Sequence, residues 1–360
     1  MNRFRDFYNN NQRWIPIVFF VAGFAFDAVM LRRIDEPITI AQQALYIIVC
    51  AVLIRFEIVE SQREIHPVWI LKKIWKYREA VLHFLMGTLL NAYTIFYFKS
   101  ASAFESFLFI ALLVGLLMLN EFGRMGKSQT QVHIALLSLC LISYLVTLVP
   151  IVLGFIGIFP FLIANLAAIC IFWLYMLWLK PTFETELSVY RKQVVLPFSG
   201  ILTVFAILYF AHAIPPVPLS VRFMGIYHDI KKADGHYELS FDETNHSFWQ
   251  HGDQDFKARP GDTLFCFARI FSPTRFNDRL QVRWLFDDAR NGWRTSDVIA
   301  LPIVGGREEG YRGITKKTNY QPGRWRVQIE TLDNREIGRI TFQVEADSST
   351  EPRELKTVME

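Results

Sequence analysis

Apolar runs separated by short charged loops fill the first 214 residues of the chain, and the pattern of hydrophobic positions changes beyond them. A helix needs about 20 apolar residues to cross a bilayer. Seven runs approach or reach this length, at residues 14–31, 38–54, 80–98, 102–120, 132–153, 156–179 and 197–214. The pattern predicts a membrane α-helical bundle of about seven transmembrane helices over residues 1–214.

Beyond the last run, apolar and polar residues alternate with a period of two. One face of the segment LQVRWLFD carries Leu280, Val282, Trp284 and Phe286. Such alternation is typical of half-buried strands, and turn dipeptides such as Asp-Gly and Pro-Gly separate the strands. Residues 222–345 are therefore predicted to form an all-β, immunoglobulin-like sandwich. A proline-rich junction over residues 215–221 precedes it, and residues 346–360 are predicted to be a disordered tail.

The loops between the apolar runs differ strongly in their content of Lys and Arg. Alternate loops are rich in these residues, whereas the remaining loops hold only Arg32, Arg33 and Lys99. Cytoplasmic loops of membrane proteins carry the excess of positive charge. The N-terminus is therefore predicted to be cytoplasmic, and an odd number of spans places the β domain on the extracytoplasmic side.

The composition supports two regions in different solvents, because 52% of the residues are hydrophobic and 20% are charged. The net charge of +4 is small, and the basic residues lie beside apolar runs. This arrangement argues against nucleic acid as a partner and favours membrane lipids. Cys266 is the only cysteine in the predicted soluble part, so no disulfide is expected there. The spacing of potential ligands predicts no metal site, and no cofactor is expected.

Four stretches carry a resemblance to a known family. They are FDAVMLRRIDEP, IFYFKSASAFESFLFIALLVGLLMLNE, IPPVPLSVRFMGIYH and the long segment from GWRTSDVIALPIVGG to GRITFQV. The chain resembles bacterial multi-pass inner-membrane proteins whose C-terminal module is the domain of unknown function 2914. The resemblance implies a bacterial inner membrane location and a periplasmic C-terminal domain. It implies no activity and no site residues.

Polar groups near the outer ends of the predicted helices form the first candidate site. An ionisable group within a span is costly, so it is a functional candidate by default. The predicted outer-leaflet polar cluster consists of Asp27, Arg33, Asp35, Lys99, Ser100, Glu105 and His212. It could bind a charged headgroup, an ion or a proton, or it could lock the helices together through ion pairs. A second set near the inner ends consists of His83, Asn120, Glu121, Arg124 and His133.

The predicted β domain offers a candidate partner surface that consists of Trp249, Trp293 and His228. The sequence contains no familiar catalytic motif such as the P-loop or the G-x-S-x-G elbow. The absence of these motifs does not exclude a membrane-embedded enzyme. The sequence therefore favours a non-enzymatic membrane protein whose sandwich binds a protein or glycan partner in the cell envelope. The alternative is a transporter or lipid-modifying enzyme that acts at the outer-leaflet cluster.

Overall fold

The computed structural model describes residues 34–62, 78–100, 111–113, 115, 129–183, 187–233, 235–242, 251–273, 276–304 and 310–360. The chain divides into two compact units. The helical unit comprises residues 1–97, 110–145 and 166–206, and the β unit comprises residues 98–109, 146–165 and 207–360. Each unit is considered by itself below.

Long apolar helices dominate the described residues of the N-terminal half. The α-helices are α1 (Pro37–Gln62), α2 (Arg78–Ser100), α3 (Gln129–Leu153), α4 (Ile158–Leu179), α5 (Leu187–Tyr190) and α6 (Leu196–Phe210). A 3-10 turn follows α4, and a π-helical turn over Arg191–Val195 joins α5 to α6. Among the described residues, five stretches are long and apolar enough to cross a membrane. Five predicted spans are thereby confirmed as helices, whereas the first predicted span and nearly all of the fourth lie outside the described residues.

The five spans differ in how much of their surface the protein itself covers. In α2 and α3, 67% of the 18-residue apolar stretch is buried within the protein, compared with 22% in each of the other three spans. A membrane helix needs an apolar surface towards lipid but tolerates small polar groups towards protein. Accordingly, the buried polar residues Thr94, Ser138 and Ser143 all lie on α2 and α3. These two helices form the protein-covered part of the bundle.

The C-terminal region is all-β, as predicted. Its strands are β1 (Ser220–Tyr227), β2 (Asp229–Ala233), β3 (His236–Asp242), β4 (Asp255–Ala258), β5 (Leu264–Phe271), β6 (Asn277–Asp288), β7 (Gly292–Val304), β8 (Tyr311–Lys317), β9 (Gly323–Thr331), β10 (Glu336–Ala346) and β11 (Leu355–Met359). They form a three-stranded sheet in the order β1-β5-β8, a five-stranded sheet in the order β4-β10-β9-β6-β7, and a three-stranded sheet in the order β11-β3-β2.

The hydrophobic core lies between the first two sheets. The alternating positions recognised in β6 and β9 point inward, so Trp284 and Val327 are fully buried and face each other across the strand pair. The same core takes Ile270 from β5 of the other sheet. Truncation of a buried Trp typically costs about 3–5 kcal/mol. The packing of these two inner faces defines a β-sandwich.

The prediction of a disordered tail over residues 346–360 is wrong. Strand β11 pairs antiparallel with β3, from Leu355 opposite Asp242 to Met359 opposite Glu238. The segment is polar because β11 is an exposed edge strand, and pairing of its backbone with β3 orders it without burying its side chains.

The β unit also includes the turn between α3 and α4. The Asn277 amide donates to the carbonyl of Gly154 at 2.7 Å, and the Ile156 amide donates to the Asp278 carboxylate at 2.9 Å. Gly154 has a φ of 80°, a conformation that favours glycine and allows this tight turn. The start of β6 is thus bonded directly to the helical turn.

Candidate functional sites

The structure describes only part of the predicted outer-leaflet cluster. Asp27, Arg33 and Glu105 lie outside the described residues. In the helical unit Asp35 is half-buried, and in the β unit Lys99 and His212 are exposed while Ser100 is buried. The pairing predicted for Asp27 stays a prediction.

The helical unit instead contains a buried acid–histidine pair. His133 Nδ1 of α3 lies 2.7 Å from the Glu57 carboxylate of α1, and the His133 side chain is 4% exposed. The Thr130 hydroxyl donates to the other oxygen of Glu57 at 3.3 Å. The ring of His83 on α2 lies edge-on to His133, with 5.5 Å between their centroids. Two residues of the predicted inner set are therefore brought together, whereas Asn120, Glu121 and Arg124 lie outside the described residues.

Glu57 was not among the predicted site residues. The predicted span over residues 38–54 does not include Glu57, whereas α1 continues to Gln62. Arg55 on the same helix stacks its guanidinium over the Trp178 ring at 3.9 Å, as a cation–π contact. The signal that could have found Glu57 is its position within one turn of an apolar run that has no helix-breaking residue.

The β unit presents an aromatic and cationic platform on the outer face of the five-stranded sheet. The Arg326 guanidinium lies 3.9 Å from the centroid of the Trp293 ring, and the Arg324 guanidinium lies 5.7 Å from it. Arg324 also lies 3.8 Å from the Asp287 carboxylate. Trp293 is half-buried and lies on β7, an edge strand of this sheet. We call Trp293, Arg324 and Arg326 the Trp293 platform.

The other predicted partner-surface residues are not part of this platform. Trp249 lies outside the described residues. The side chain of His228 is 4% exposed and stacks on Phe256, so it cannot contribute to an outer contact surface. His228 Nε2 lies 3.4 Å from the Asp253 carboxylate, in a geometry that does not form a hydrogen bond.

Burial shifts both members of the His228–Asp253 pair towards their neutral forms. Burial, reinforced by the nearby Arg353 guanidinium, lowers the pKa of His228 to about 4. Burial raises the pKa of Asp253 to about 7, although the Asp242 amide donates to its carboxylate at 2.9 Å and opposes the shift. Strands β2 and β3 lie between these two residues in the chain, so no local sequence pattern indicates the pair.

Arg353 connects this pair to the C-terminal segment. Its guanidinium donates to the Asp262 carboxylate and to the carbonyl of Lys257, both at 2.7 Å, and lies 3.4 Å from His228 Nδ1. Burial raises the pKa of Asp262, but hydrogen bonds from Arg353 and the Arg259 amide outweigh it and hold that pKa below its usual value. The C-terminal segment is therefore fixed to the sandwich by charge-assisted hydrogen bonds.

A small pocket lies within the β unit, where the helix ends meet the sandwich. The cavity has a volume of about 30 Å³. Its walls are apolar except for Arg335, from the turn between β9 and β10, and Tyr209, from the end of α6. The Arg335 guanidinium lies 3.6 Å from the centroid of the Tyr209 ring. Neither residue was among the predicted candidates, because each belongs to an element whose apolar pattern already accounted for it.

The described part of the chain offers no cluster of side chains for a metal ion. Among these residues, no set of three or more His, Cys, Asp or Glu side chains is placed to hold a metal ion. Cys266 is a free, buried thiol, and burial raises its pKa to about 12. It is therefore a packed core residue, without the ionised form that a nucleophile needs.

Comparison with known proteins identifies one sequence family. Residues 277–344 match the family model described as "Protein of unknown function (DUF2914)". The matched segment runs from the start of β6 into β10 and includes the Trp293 platform and Arg335. The resemblance of the C-terminal region to this domain is thereby confirmed. No curated protein matches the chain.

The solved structures that match the chain share little sequence with it and have low TM-scores. An immunoglobulin-like protein from Pseudomonas aeruginosa is 11% identical over 36% of this chain and 98% of its own, with a TM-score of 0.22. A β-glucosidase involved in saponin metabolism from intestinal bacteria is 11% identical over 33% of this chain and 20% of its own, with a TM-score of 0.20. An alkylpurine DNA glycosylase from Pseudomonas fluorescens is 9% identical over 76% of this chain and 72% of its own, with a TM-score of 0.23.

Proposed function

We propose that this chain is a membrane-anchored binding protein whose β-sandwich presents the Trp293 platform to a protein or glycan partner in the cell envelope. The observation that carries the proposal is the partly exposed Trp293 ring with two guanidinium groups within 6 Å of its centroid. Trp and Arg are the side chains most enriched among residues that dominate binding energies. A preordered Trp–Arg stack also loses little conformational entropy when a partner binds.

The remaining architecture suits such a role. The helices supply a membrane anchor, and the bonds between the start of β6 and the turn after α3 hold the sandwich at the helix ends. We propose the full set of seven spans and an immunoglobulin-like topology for the sandwich. The distribution of Lys and Arg supports a cytoplasmic N-terminus and a periplasmic sandwich in a bacterial inner membrane. Membrane lipids are partners in either orientation.

The second candidate function is a transporter or lipid-modifying enzyme. The outer-leaflet cluster motivates this candidate, and three of its residues lie outside the described part of the chain. The Glu57–His133 pair supports it independently, because a partly buried acid–histidine pair in a membrane helix bundle can carry a proton. A proton-coupled transporter would lose activity on Glu57→Gln replacement, whereas partner binding through the Trp293 platform would not change.

Site-directed photo-crosslinking in living cells tests the proposed function. A photoreactive residue replaces the exposed Thr295, two positions from Trp293 on β7, and the matched control places it at Lys231, whose side chain is 73% exposed on β2. We expect covalent adducts from position 295 and none from position 231, and Trp293→Ala in the same chain should remove the adducts from position 295. Protease-sensitive adducts indicate a protein partner, and glycosidase-sensitive adducts indicate a glycan. Equal labelling at positions 295 and 231, no adducts at position 295, or adducts that persist in the Trp293→Ala variant contradict the proposal.

A further inference from the structure

The pocket at the end of α6 contains a cationic side chain whose hydrogen-bonding capacity is only partly used. Arg335 is 5% exposed, and its Nε donates to the Asp333 carboxylate at 2.7 Å. Its Nη1 is buried and has no hydrogen-bond partner among the described residues. The hydroxyl of Tyr209, which lines the same pocket, is also buried without such a partner in that part of the chain.

Two unpaired donors in one pocket need an explanation. A buried donor without an acceptor loses its hydration and gains nothing in return, so native structures rarely leave one unsatisfied. Here the donors share a cavity of about 30 Å³, and a water needs roughly 10–15 Å³ of such space. The cavity therefore has room for about two oxygen atoms close to Arg335 and Tyr209.

The surroundings of the pocket restrict the chemistry of the ligand. Its walls include Val146, Ile156 and Phe161, at the end of α3 and the beginning of α4. Neighbouring side chains such as Val152 and Phe159 are 71% and 65% exposed, as expected for surfaces in contact with lipid. The free Nη1 of this guanidinium can donate a charge-assisted hydrogen bond to a phosphate oxygen, and a lipid headgroup at the ends of the membrane helices would supply such an oxygen.

We propose that Arg335 and Tyr209 form a binding site for a phosphate group, supplied by a phospholipid headgroup or by free phosphate. Arg335 Nη1 donates to one phosphate oxygen, and the Tyr209 hydroxyl donates to a second. Because the cavity has room for about two oxygen atoms, the rest of the phosphate and any lipid attached to it lie outside the pocket. This site does not depend on the Trp293 platform, so either proposal can fail without the other.

Nearby carboxylates set the strength of the site. Asp333 is ionised and neutralises Arg335. Burial alone would raise the pKa of Asp333, but hydrogen bonds from Thr331 and Arg335 outweigh burial and hold that pKa below its usual value. Asp278 lies close enough to Asp333 for its charge to matter, and burial raises the pKa of Asp278. Asp333 therefore competes with the phosphate for Arg335, and its neutralisation should strengthen phosphate binding.

Native mass spectrometry of the full chain in a neutral detergent tests the site. The protein is titrated separately with phosphatidylglycerol, phosphatidylcholine and inorganic phosphate. We expect saturable binding of one phosphate-containing ligand that becomes about tenfold weaker or more on Arg335→Gln replacement, because a charge-assisted hydrogen bond is lost. Arg294→Gln is the control, because this arginine is 65% exposed on β7. Saturation by inorganic phosphate alone identifies free phosphate as the ligand, and saturation by lipid alone identifies a headgroup.

The Asp333→Asn variant separates binding from folding. It removes an ion pair, so the unliganded protein should melt at a lower temperature, yet phosphate binding should become tighter than in the wild type. A purely structural role for Arg335 predicts lower stability without tighter binding. The proposal is overturned if Asp333→Asn leaves the affinity unchanged or weaker, or if Arg335→Gln and wild type bind all three ligands equally. Tyr209→Phe, which keeps the ring beneath Arg335, provides a second binding variant if Arg335→Gln does not fold.

Discussion

Two buried ionisable residues of the sandwich, Asp253 and His228, change the free energy of unfolding in opposite directions as the pH changes. Asp253 has a pKa of about 7 in the folded protein and an ordinary value near 4 in the unfolded chain. Its contribution to the stability of the fold is therefore complete below pH 4 and is lost as the pH rises through 7. His228 has a pKa of about 4 when folded and about 6.5 when unfolded. The contribution of His228 to the stability of the fold is complete above pH 6.5 and is lost as the pH falls through 4. Between pH 4 and 7 the two trends largely cancel.

Replacement of Asp253 by Asn should therefore expose the trend of His228. We expect the stability of the variant to fall by roughly 2–3 kcal/mol between pH 7 and pH 4 relative to wild type, at about 1.4 kcal/mol for each unit of pKa. Thermal unfolding followed by near-ultraviolet circular dichroism at several pH values measures the difference. Asp229→Asn, at a carboxylate that is 42% exposed, is the control and should follow wild type. A variant curve parallel to that of wild type would contradict the raised pKa of Asp253, whose contribution is the only term that the substitution removes.

Two glycines of similar conformation should respond differently to substitution by alanine. Gly252 has a φ of 72°, and an added Cβ would overlap the carbonyl oxygen of Ile226 and lie 2.8 Å from its nitrogen. Gly261 has a φ of 92° and open space around it. We expect Gly261→Ala to cost about 1–2 kcal/mol of backbone strain, and Gly252→Ala to cost more because the backbone of β1 must also move. Proteolysis of the full chain under rising denaturant compares them. Equal losses would show that steric overlap at Gly252 is relieved cheaply.

At the level of elements, β11 depends on anchors outside its own sequence. Arg353 binds Asp262, the Arg259 guanidinium binds Asp347 at 2.6 Å, and β11 adds a five-residue ladder to β3. A short, fully exposed edge strand has little packing energy of its own. The ion pairs that precede β11 are therefore needed to keep it paired.

Arg353→Ala should loosen β11 without unfolding the sandwich. We expect amide hydrogen exchange to become at least several-fold faster in Leu355–Met359 and in the residues of β3 opposite them, because the pairing opens more often. Exchange in β6 and β9 should not change. Arg294→Ala serves as the surface control, measured by mass spectrometry on the same peptides. Protected β11 amides in the Arg353 variant would show that the ladder and the remaining ion pairs, Arg259 with Asp347 and Arg269 with Glu360, hold the strand without Arg353.

Those elements that depend on local pattern could be predicted from the sequence, whereas contacts between distant segments could not. Alternation placed Trp284 in the core because a strand buries every second residue. Strand β11 was missed because its order comes from β3 and Arg353, and exposed pairing leaves no hydrophobic pattern. The same reason hid the Arg335–Tyr209 contact, which joins a turn to a helix 126 positions earlier in sequence (335 − 209). Of the predicted site residues that the structure describes, His83 and His133 are brought into contact with each other.

For the whole molecule, the orientation in the membrane is the property that most limits its function. Alkaline phosphatase is active only outside the cytoplasm, so we expect activity when it follows Glu360 and none when it follows Lys180, in the predicted inner loop before α5. Enzymatic activity normalised to fusion protein in intact cells is the measurement. The reverse pattern would place the sandwich in the cytoplasm and exclude an envelope partner for the Trp293 platform.

The bonds from Asn277 and Asp278 to the turn between α3 and α4 also determine how the β unit can transmit force. A strand that is bonded to a second segment cannot move without disturbing that segment. Tension on β7 would load β6 through their ladder, and β6 would pass the load to Gly154 and Ile156 within the same unit. Within the β unit, the turn that contains Gly154 therefore shares any force on the sandwich with the proline junction.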